Sequence, residues 1–468
     1  MSKAYRQSFL VGALLLSVSA VFLPLHCASA AELVDVIDAG DPEDPFDLRV
    51  EVNYLRSLRR AKGTREFHCA QGEFAAAGGA VDPCPGADAY GALLHVKELR
   101  YERETHGMLP TIRIGLWHDL ELKVEAPVIL SDEQGVRYAG NGGNKNGVIV
   151  TEATSTIAPE QGTPRLFGVP PTGAGALPNR SGFGDMLFML RYSPLSQDRD
   201  PQRATWTLEL GYRAPTGEPM KFGNTGVGRG VHELELATGL SRRFAFADPY
   251  LRLAAVLPFA ASDSLFKDYG FAQDYIGPGN RVSLQLGSEF IPYQDPETGA
   301  KLFFDIGFSS EYQAKGRDYS ELFDAIAGSQ TQTACADGNI FDDRGAQGRL
   351  PNVACFNPAS SSVVCGQPLD GITTVEPFMT FGLNLGAGIY ATDSAKISVD
   401  LALAHETEHF IGTADLGDDL DGSGEIEPVG NPAEQNPTFS PAIDELGRRI
   451  RIEETTVFSV GVSLALML

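Results

Sequence analysis

The pentapeptide from His405 to His409 has the residue types and spacing of the H-E-x-x-H zinc motif. On a helix, two such histidines hold one metal ion and the glutamate polarises the bound water. Here the motif ends a run of strict alternation from Ile397 to Leu403, which predicts a strand. On a strand the two histidines lie about 13 Å apart at ~3.3 Å per residue, too far for one ion. We therefore predict no enzyme activity from this motif and interpret it as a polar belt at the rim of a sheet.

The acidic segment 419–427 resembles the first nine positions of an EF-hand calcium loop, with Gly424 at the sharp turn. The closing bidentate glutamate is missing, because Gly430 stands at that position. The candidate calcium ligands are Asp419, Asp421, Ser423 and Glu425. Two interpretations stay open: a weak Ca²⁺ site, or a solvated acidic loop that discourages aggregation. The sequence indicates no other cofactor.

Charged residues on one face of the predicted strands form a third set of candidates. If the sheet closes, these residues line its interior. The candidates are Arg49, Glu51, Arg113, Lys123, Asp185, Arg191, Glu209, Arg213, Arg252, Arg281, Glu289 and Asp305. Their mixed signs predict ion pairs across a narrow interior. Such charges either fill the interior structurally or line a selective path, and the sequence leaves both interpretations open.

Five cysteines follow the predicted leader, and an exported chain permits disulfides. We expect Cys69 to pair with Cys84 in one insert. Two of the three cysteines in a later insert are expected to pair as well: Cys335, Cys355 and Cys365. The alternative is five free thiols.

The last thirteen residues, 456–468, show the pattern that organises the chain. Phe458, Val460 and Val462 begin an apolar face that continues to the terminus, while small or polar residues occupy the other face. A strand has a period of two, so this segment has one apolar face and one face of small or polar residues. A strand that faces lipid outward and a wet lumen inward has this pattern.

The remaining sequence repeats the pattern in hairpins, with tight turns such as Trp117-His118-Asp119 and Asp295–Gly299. We predict a single-domain all-β fold, a transmembrane antiparallel up-and-down β-barrel of about twelve strands. Such a sheet must close into a barrel, because the hydrocarbon core of a membrane offers no hydrogen-bond partner to the backbone of an open edge. The predicted domains are a signal peptide, 1–30, an acidic N-terminal segment, 31–45, and the barrel, 46–468. The predicted external loops are 61–92, 131–180, 216–230, 261–278, 316–371 and 412–447. A soluble sandwich would also have period two, but it would not place charges on one face of every strand.

The N-terminus has the features of a secretory signal. Lys3 and Arg6 precede an apolar stretch, and Ala28-Ser29-Ala30 is a small-residue cleavage site, so we expect the mature chain to begin near Ala31. After this stretch the sequence contains no run of ~18 or more apolar residues, so it predicts no transmembrane helix. The 61 acidic and 37 basic residues give a net charge of −24, which disfavours nucleic-acid binding.

Two groups of motifs resemble a known family of barrels. The first comprises Ser181-Gly182-Phe183-Gly184-Asp185 and Leu210-Gly211-Tyr212-Arg213-Ala214-Pro215-Thr216-Gly217, and the second is the segment 114–122. They resemble the outer-membrane β-barrel transporter family of the meta-pathway phenol degradation type. The long cysteine-bearing inserts depart from that family's short loops. The resemblance implies passage of small solutes, aromatic or apolar ones among them, across the outer membrane of a Gram-negative bacterium.

We therefore expect a channel or uptake porin. The expected partners are outer-membrane lipid, a small-molecule solute and the barrel-assembly machinery, with no nucleic acid. One rival is a surface-anchored binding or structural barrel that presents disulfide-bonded loops. A barrel-embedded hydrolase is the third hypothesis.

Overall fold

The computed structural model describes the main body of the chain. The described residues are 31–37, 47–69, 92–139, 177–221, 223–266, 275–327, 341–342, 350–351, 356–357, 362–363, 370–392, 394–415, 417–426, 434, 436, 441–444 and 446–467. The helices α1, Phe323–Ile326, and α2, Pro441–Asp444, have four residues each. Among these described residues, no helix is long and apolar enough to cross a membrane.

The described chain is otherwise built from strands. They are β1 Leu48–Cys69, β2 Ala92–Trp117, β3 Leu120–Glu125, β4 Val128–Tyr138, β5 Arg180–Phe183, β6 Leu187–Leu195, β7 Thr205–Arg213, β8 Val231–Ser241, β9 Ala247–Ala260, β10 Arg281–Gln294, β11 Lys301–Gln313, β12 Gly316–Asp318, β13 Phe341–Asp342, β14 Leu350–Pro351, β15 Phe356–Asn357, β16 Ser362–Val363, β17 Thr373–Val375, β18 Phe378–Thr392, β19 Ala395–Glu406, β20 His409–Gly412 and β21 Ile450–Met467. The pairs β13–β14 and β15–β16 stand outside the main sheet.

The main sheet closes on itself as an antiparallel barrel of twelve strands within the described residues. β3 and β4 together form one barrel strand, and β5 and β6 together form the next. Both β3 and β4 are hydrogen-bonded to β2. Each further strand pairs with the next along the chain, and β12, β17 and β20 extend the barrel at its outer end. The terminal strands β1 and β21 then pair with each other, from Arg49 opposite Met467 to Arg65 opposite Ile450. The predicted twelve-stranded barrel is confirmed.

The two faces of the barrel wall have opposite polarity. On β7, Trp206 and Leu210 are 36% and 49% exposed on the outside, whereas Thr207 and Glu209 are 0% and 6% exposed on the inside. Leu464 on β21 is 51% exposed. A soluble barrel places apolar side chains inside, so this reversed pattern is that of a lipid-facing wall. The protein is an outer-membrane β-barrel, as the sequence predicts.

Long strands extend the barrel beyond the predicted bounds of its inserts. β1 continues to Cys69 and β4 to Tyr138, whereas the sequence predicts loops from residues 61 and 131. The difference arises because both faces of these outer ends meet water or loops, so alternation of apolar and polar residues is lost although the backbone pairing continues.

The short connections at the opposite end are tight turns. Asp119 adopts a left-handed conformation with φ 51° between β2 and β3. In the turn between β10 and β11, Gly299 has φ 70° and its N–H donates to the carbonyl oxygen of Asp295 over 2.9 Å. Glycine takes this conformation without strain. Both predicted turns are confirmed, and they lie at the same end of the barrel as the start of β1 and the end of β21.

Candidate functional site

A cavity of about 580 Å³ lies in the barrel lumen. Its wall comes from the inner faces of strands all around the barrel, including β1, β2, β7, β11 and β19. Eight carboxylates and five cationic side chains are among the described residues that line it. The lumen is therefore polar, with an excess of negative charge.

One side of the lumen carries a chain of ion pairs, which we call the ion-pair ladder. Its members are Arg113, Glu121, Arg191, Glu209 and Arg252. The Nη2 atom of Arg113 lies 2.7 Å from Glu121 Oε2, Arg191 Nε lies 3.1 Å from Glu209 Oε1, and Arg252 Nη2 lies 2.6 Å from Glu209 Oε2. Removing one partner of such a buried pair leaves an uncompensated charge, so each member holds its neighbours in place.

The opposite side of the lumen is an acidic wall made by Glu289, Asp305 and Asp400. Glu289 and Asp305 are direct neighbours across β10 and β11, and Asp305 and Asp400 flank Gly386 across β18. The Tyr250 hydroxyl donates to Asp305 over 3.0 Å, and Lys301 Nζ lies 2.7 Å from Glu289. Asp400 is exposed to the lumen. The acidic wall thus offers carboxylate oxygens to whatever enters the cavity.

The N-terminal segment, residues 31–37, lies inside the barrel and forms the floor of this cavity. It folds into a turn, in which the Ala31 carbonyl accepts hydrogen bonds from the N–H groups of Val34 and Asp35 at 2.8 and 3.0 Å. Ala31 and Val34 are 1% and 0% exposed. The segment is therefore packed into the lumen rather than lying on the surface.

Inner-face side chains of the wall bind the backbone of the N-terminal segment. Arg191 donates to the carbonyl oxygens of Leu33 and Asp35 at 2.9 and 2.7 Å. Arg113 also donates to the carbonyl of Asp35, over 2.8 Å. The N–H of Ile37 donates to Glu121 over 2.9 Å. The ion-pair ladder therefore occupies part of the lumen and also binds the N-terminal segment, which forms the floor of the lumen cavity.

The side chain of Glu32 in the N-terminal segment contacts both strands that flank β21. The carboxylate of Glu32 pairs with Arg49 on β1 and with Lys396 on β19. Charge-assisted hydrogen bonds of this kind are stronger than neutral ones. Glu32 therefore anchors the segment on the side away from most of the ion-pair ladder.

A second cavity, of about 260 Å³, lies farther out along the same strands. It is lined by Arg59 on β1 and Tyr101 and Arg103 on β2, whereas the lumen cavity reaches Asn53 and Leu109 on those strands. Strand residues rise ~3.3 Å each, so the two cavities are stacked along the barrel axis. His409 stacks on Phe378 at this level, with ring centroids 4.3 Å apart.

The described residues that follow β12, from Tyr319 to Phe323, line the outer cavity on one side. Leu322 and Ile326, at the helix α1, are 1% and 0% exposed and pack with Ile443, Ile450 and other apolar residues of the outer strands and loops. We call Leu322 to Ile326 the cap. Burying these side chains contributes roughly 1.5–3 kcal/mol each, so the cap is a folded part of the protein.

Charged contacts tie the cap to the wall. Arg59 Nη2 lies 2.5 Å from Glu321 and its Nη1 lies 2.6 Å from Glu406. Burial opposes ionisation of Glu321, but the attraction of Arg59 outweighs it and lowers the pKa of that carboxyl. Arg180 is fully buried and pairs with Asp324 of the cap. Apolar packing and ion pairs therefore both hold the cap at the outer end of the barrel.

The predicted lumen residues lie on the inner face in two groups. Those that line the lumen cavity are Glu51, Arg113, Lys123, Arg191, Glu209, Arg252, Glu289 and Asp305. Arg49 is buried against Glu32. Arg213 and Arg281 both pair with Glu233 nearer the outer end, and Asp185 accepts the N–H groups of Gly217 and Arg229. The structure thus brings the first group to one cavity and places the second beneath the outer loops.

The H-E-x-x-H motif lies on strands, as predicted. β19 ends at Glu406, and the chain then bends before β20 begins at His409. His405 is exposed on the outer face and His409 is 5% exposed on the inner one. Residues four apart on an unbroken strand share a face, but the break at Thr407 and Glu408 places these two histidines on opposite faces. The two histidines therefore do not face one metal ion.

The acidic loop brings together a different set of carboxylates from the predicted one. The ligand atoms of Asp419, Asp421 and Glu434 lie within 4.8 Å of one another. The Ser423 hydroxyl instead donates to the carbonyl of Glu425 over 3.0 Å. Hydrogen bonds from backbone N–H groups, that of Gly424 first, lower the pKa of Asp419. Backbone amides thus already compensate the charge, and calcium binding stays a prediction.

The disulfide predictions cannot be compared with this geometry. Cys84, Cys335, Cys355 and Cys365 lie outside the described residues, as do the predicted signal peptide and residues 38–46. The pairings stay predictions.

Sequence reasoning missed Glu32 and the backbone of residues 33–37 as parts of the site. It also missed Lys396 and Asp400 on β19. The acidic stretch directly after the predicted cleavage site was the available signal, because an inward-facing set rich in arginine attracts a nearby carboxylate.

No protein-family model matches the chain, and no curated protein matches it. Among solved structures, it is similar to an outer membrane channel from Pseudomonas putida F1, with 9% identity and TM-score 0.37 over 89% of this chain and 95% of that one. The outer membrane protease OmpT from Escherichia coli aligns with 10% identity and TM-score 0.24 over 89% and 97%. A FadL homologue from Pseudomonas aeruginosa aligns with 7% identity and TM-score 0.29 over 90% of each chain. At these values the likenesses assign neither family nor activity, and the barrel fold stands on the strand pairing described above.

Proposed function

We propose that the protein is a passive diffusion channel that carries small amphipathic solutes, aromatic ones among them, across the outer membrane. The observation that carries this proposal is the stack of two cavities along the barrel axis, of about 260 and 580 Å³. A barrel that served only as an anchor would gain stability from a filled interior. Here space for small molecules is kept between the cap and the floor.

The chemistry of the linings supports this solute class. The lumen cavity has apolar contributions from Leu109, Met189 and Phe303 beside its charged groups. The outer cavity presents the aromatic rings of Tyr101 and Phe378 next to arginines. Sites of this kind combine apolar surface with a few placed polar groups. A small ring that carries a hydroxyl or amine group fits both cavities.

Transport requires the N-terminal segment to move. Its contacts with the wall are hydrogen bonds and ion pairs, each of which contributes only about 0.5–3 kcal/mol, because water replaces it when the segment leaves. The apolar contact includes Val34, which is 0% exposed and lies beside Gly239. Opening of the floor as a minor state of the protein is part of this proposal.

Reconstitution into liposomes tests the proposal. We expect vesicles that contain the protein to admit phenol and benzylamine faster than empty vesicles do, and faster than they admit a disaccharide. Deletion of residues 31–37 is expected to raise single-channel conductance, because it removes the floor. Glu297→Gln, in the exposed turn between β10 and β11, is a matched control.

A sealed barrel would contradict the proposal. If the protein without residues 31–37, combined with Ile326→Ala in the cap, still showed neither solute entry nor conductance, the surface-anchored barrel would be the better interpretation. Heat-modifiable migration on gels shows whether each variant has a folded barrel, so failure to fold is distinguished from a closed lumen.

A further inference from the structure

The floor of the lumen contains a buried carboxylate for which the described residues supply no hydrogen bond. Asp248, near the start of β9, is 0% exposed, and neither of its side-chain oxygens accepts a hydrogen bond. A buried charge without a partner is costly, so native proteins pair it. Asp248 therefore either keeps its proton or needs a cation beside it.

The neighbouring cations place their hydrogen bonds on other groups, and Nη1 of Arg243 is buried without a hydrogen-bond partner among the described residues. Arg243 donates to the Ala245 carbonyl over 3.2 Å and to Gln294 over 2.7 Å. Lys301 lies 2.7 Å from Glu289, which is the direct neighbour of Asp248 across β9 and β10. Two adjacent carboxylates thus share one close lysine, and no cation of the described residues lies within ion-pair distance of Asp248.

The beginning of the N-terminal segment lies beside these carboxylates. The N–H of Glu32 donates to Glu289 Oε2 over 3.4 Å, and Ala31 is 1% exposed. Successive backbone nitrogens are at most about 3.6 Å apart, so the nitrogen of Ala31 lies within about 7 Å of the Glu289 carboxylate. That nitrogen is therefore near Glu289, the cross-strand neighbour of Asp248.

Cleavage of the leader changes the chemistry of that nitrogen. The small-residue site ending at Ala30 predicts a mature chain that begins at Ala31. Before cleavage the nitrogen is a neutral amide with one N–H. After cleavage it is an α-ammonium group with three donors, charged near neutral pH because its ordinary pKa is about 7.7–8.0.

We propose that the floor of the lumen is a binding site for the α-ammonium group of Ala31, with the Asp248 carboxylate as its counter-ion, so that the N-terminal segment docks only after the leader is removed. Capture of a chain's amino terminus by oriented acceptors is a known mode of recognition. Maturation would then supply the cation that the wall lacks. This proposal depends on the position of the amino terminus and not on any solute or conductance.

Chemical labelling of the amino terminus tests it. The mature protein, folded in detergent, is treated with an N-hydroxysuccinimide acetate at pH 7, and acetylation of the terminal peptide is followed by mass spectrometry. We expect the mature chain to start at Ala31 and its α-amine to react at least tenfold more slowly in the folded barrel than in urea. Asp248→Asn is expected to remove most of that protection. The Glu297→Gln control is expected to keep it.

A second variant covers the case in which Asp248→Asn does not fold. Two glycines placed before Ala31 move the charge away from Asp248 without altering the wall. The substitution Leu33→Cys then reports docking, and we expect maleimide labelling at this position to be at least tenfold faster in the extended chain. The proposal is overturned if the mature chain starts elsewhere. It is also overturned if the folded α-amine reacts as fast as the unfolded one, or if neither variant changes labelling.

Discussion

The hydroxyl group of Thr207 donates a 2.7 Å hydrogen bond to the carbonyl oxygen of Val34. This contact joins the middle of the barrel wall to a segment that precedes the first strand. Both residues are fully buried, so the carbonyl has no access to water in the closed state. The wall of the barrel is thus a receptor for the N-terminal segment as well as a scaffold for the lumen.

Thr207→Val removes this hydrogen bond and preserves the shape of the side chain. Leaving the buried carbonyl of Val34 without a donor costs about 1 kcal/mol, so we expect the fraction of time with the floor open to rise about fivefold. Single-channel recording measures that fraction. Thr205→Val is the matched control, because Thr205 accepts the N–H of Gln197 in the adjacent turn instead. Equal open fractions in the two variants would show that the hydrogen bond from Thr207 to Val34 does not hold the floor closed.

Neutralising the acidic wall is expected to change ion selectivity. In the double variant Asp305→Asn with Asp400→Asn, the lumen loses two carboxylates, and the local concentration of cations falls. We expect the permeability ratio of K⁺ to Cl⁻ to fall by roughly threefold, because charged walls focus counter-ions in narrow passages. The reversal potential across a planar bilayer with a KCl gradient measures this ratio. An unchanged reversal potential would show that ions do not pass the acidic wall.

The outer end of the barrel is expected to loosen in acid. Glu454 accepts hydrogen bonds from Lys62 and Lys97, which lower its pKa from 4.5 to about 2. A lowered pKa means that the ionised form stabilises the folded state. The stabilisation is fully present above pH about 4.5 and is lost as pH falls toward 2. Because the Glu454 side chain is 49% exposed, the effect is small and screened by salt.

Hydrogen exchange of the outer part of β1, corrected for intrinsic rates, measures this loss at pH 6, 4 and 2.5. We expect Glu454→Gln to exchange faster than wild type at pH 6 and to show little further change in acid. Identical profiles for the two proteins would remove Glu454 as the cause.

A charge on the lipid-facing side tests the membrane assignment of the wall. Leu210 is 49% exposed at the middle of β7, and Leu210→Arg is expected to destabilise the barrel in phospholipid vesicles by about 2–4 kcal/mol. Leu446, 68% exposed before β21, is a matched position outside the barrel wall. We expect Leu446→Arg to be nearly neutral. Denaturant unfolding in vesicles compares them, and equal costs would place both residues in water.

The sequence predicts the wall of this barrel well, because period two is imposed by the strand itself. Leu210 and Glu209 face opposite sides wherever the strand lies. The inner charges, Arg113 and Arg191 among them, were therefore identifiable from pattern alone. Their partners were not, since each arginine also donates to backbone carbonyls of the N-terminal segment, and a backbone acceptor has no signature in sequence.

The cap and the histidine pair show two other limits. The helix at Phe323 to Ile326 is one turn long, too short for helical periodicity to appear. The side on which His409 lies depends on a two-residue break after Glu406, and such a break reverses every later side chain of a strand. Both features follow from tertiary packing at the outer end rather than from local pattern.

The pairing of β1 with β21 sets the order of assembly. Val50 lies opposite Leu466, so the seam joins the earliest and latest strands of the polypeptide. No closed cylinder exists until synthesis and export of the whole chain are complete, and loss of the last strand would leave two unpaired edges in hydrocarbon. The N-terminal segment leaves the ribosome before every strand, yet Lys396, which pairs with Glu32, lies on β19 near the end of the chain, so the contacts of the segment are complete only late in assembly.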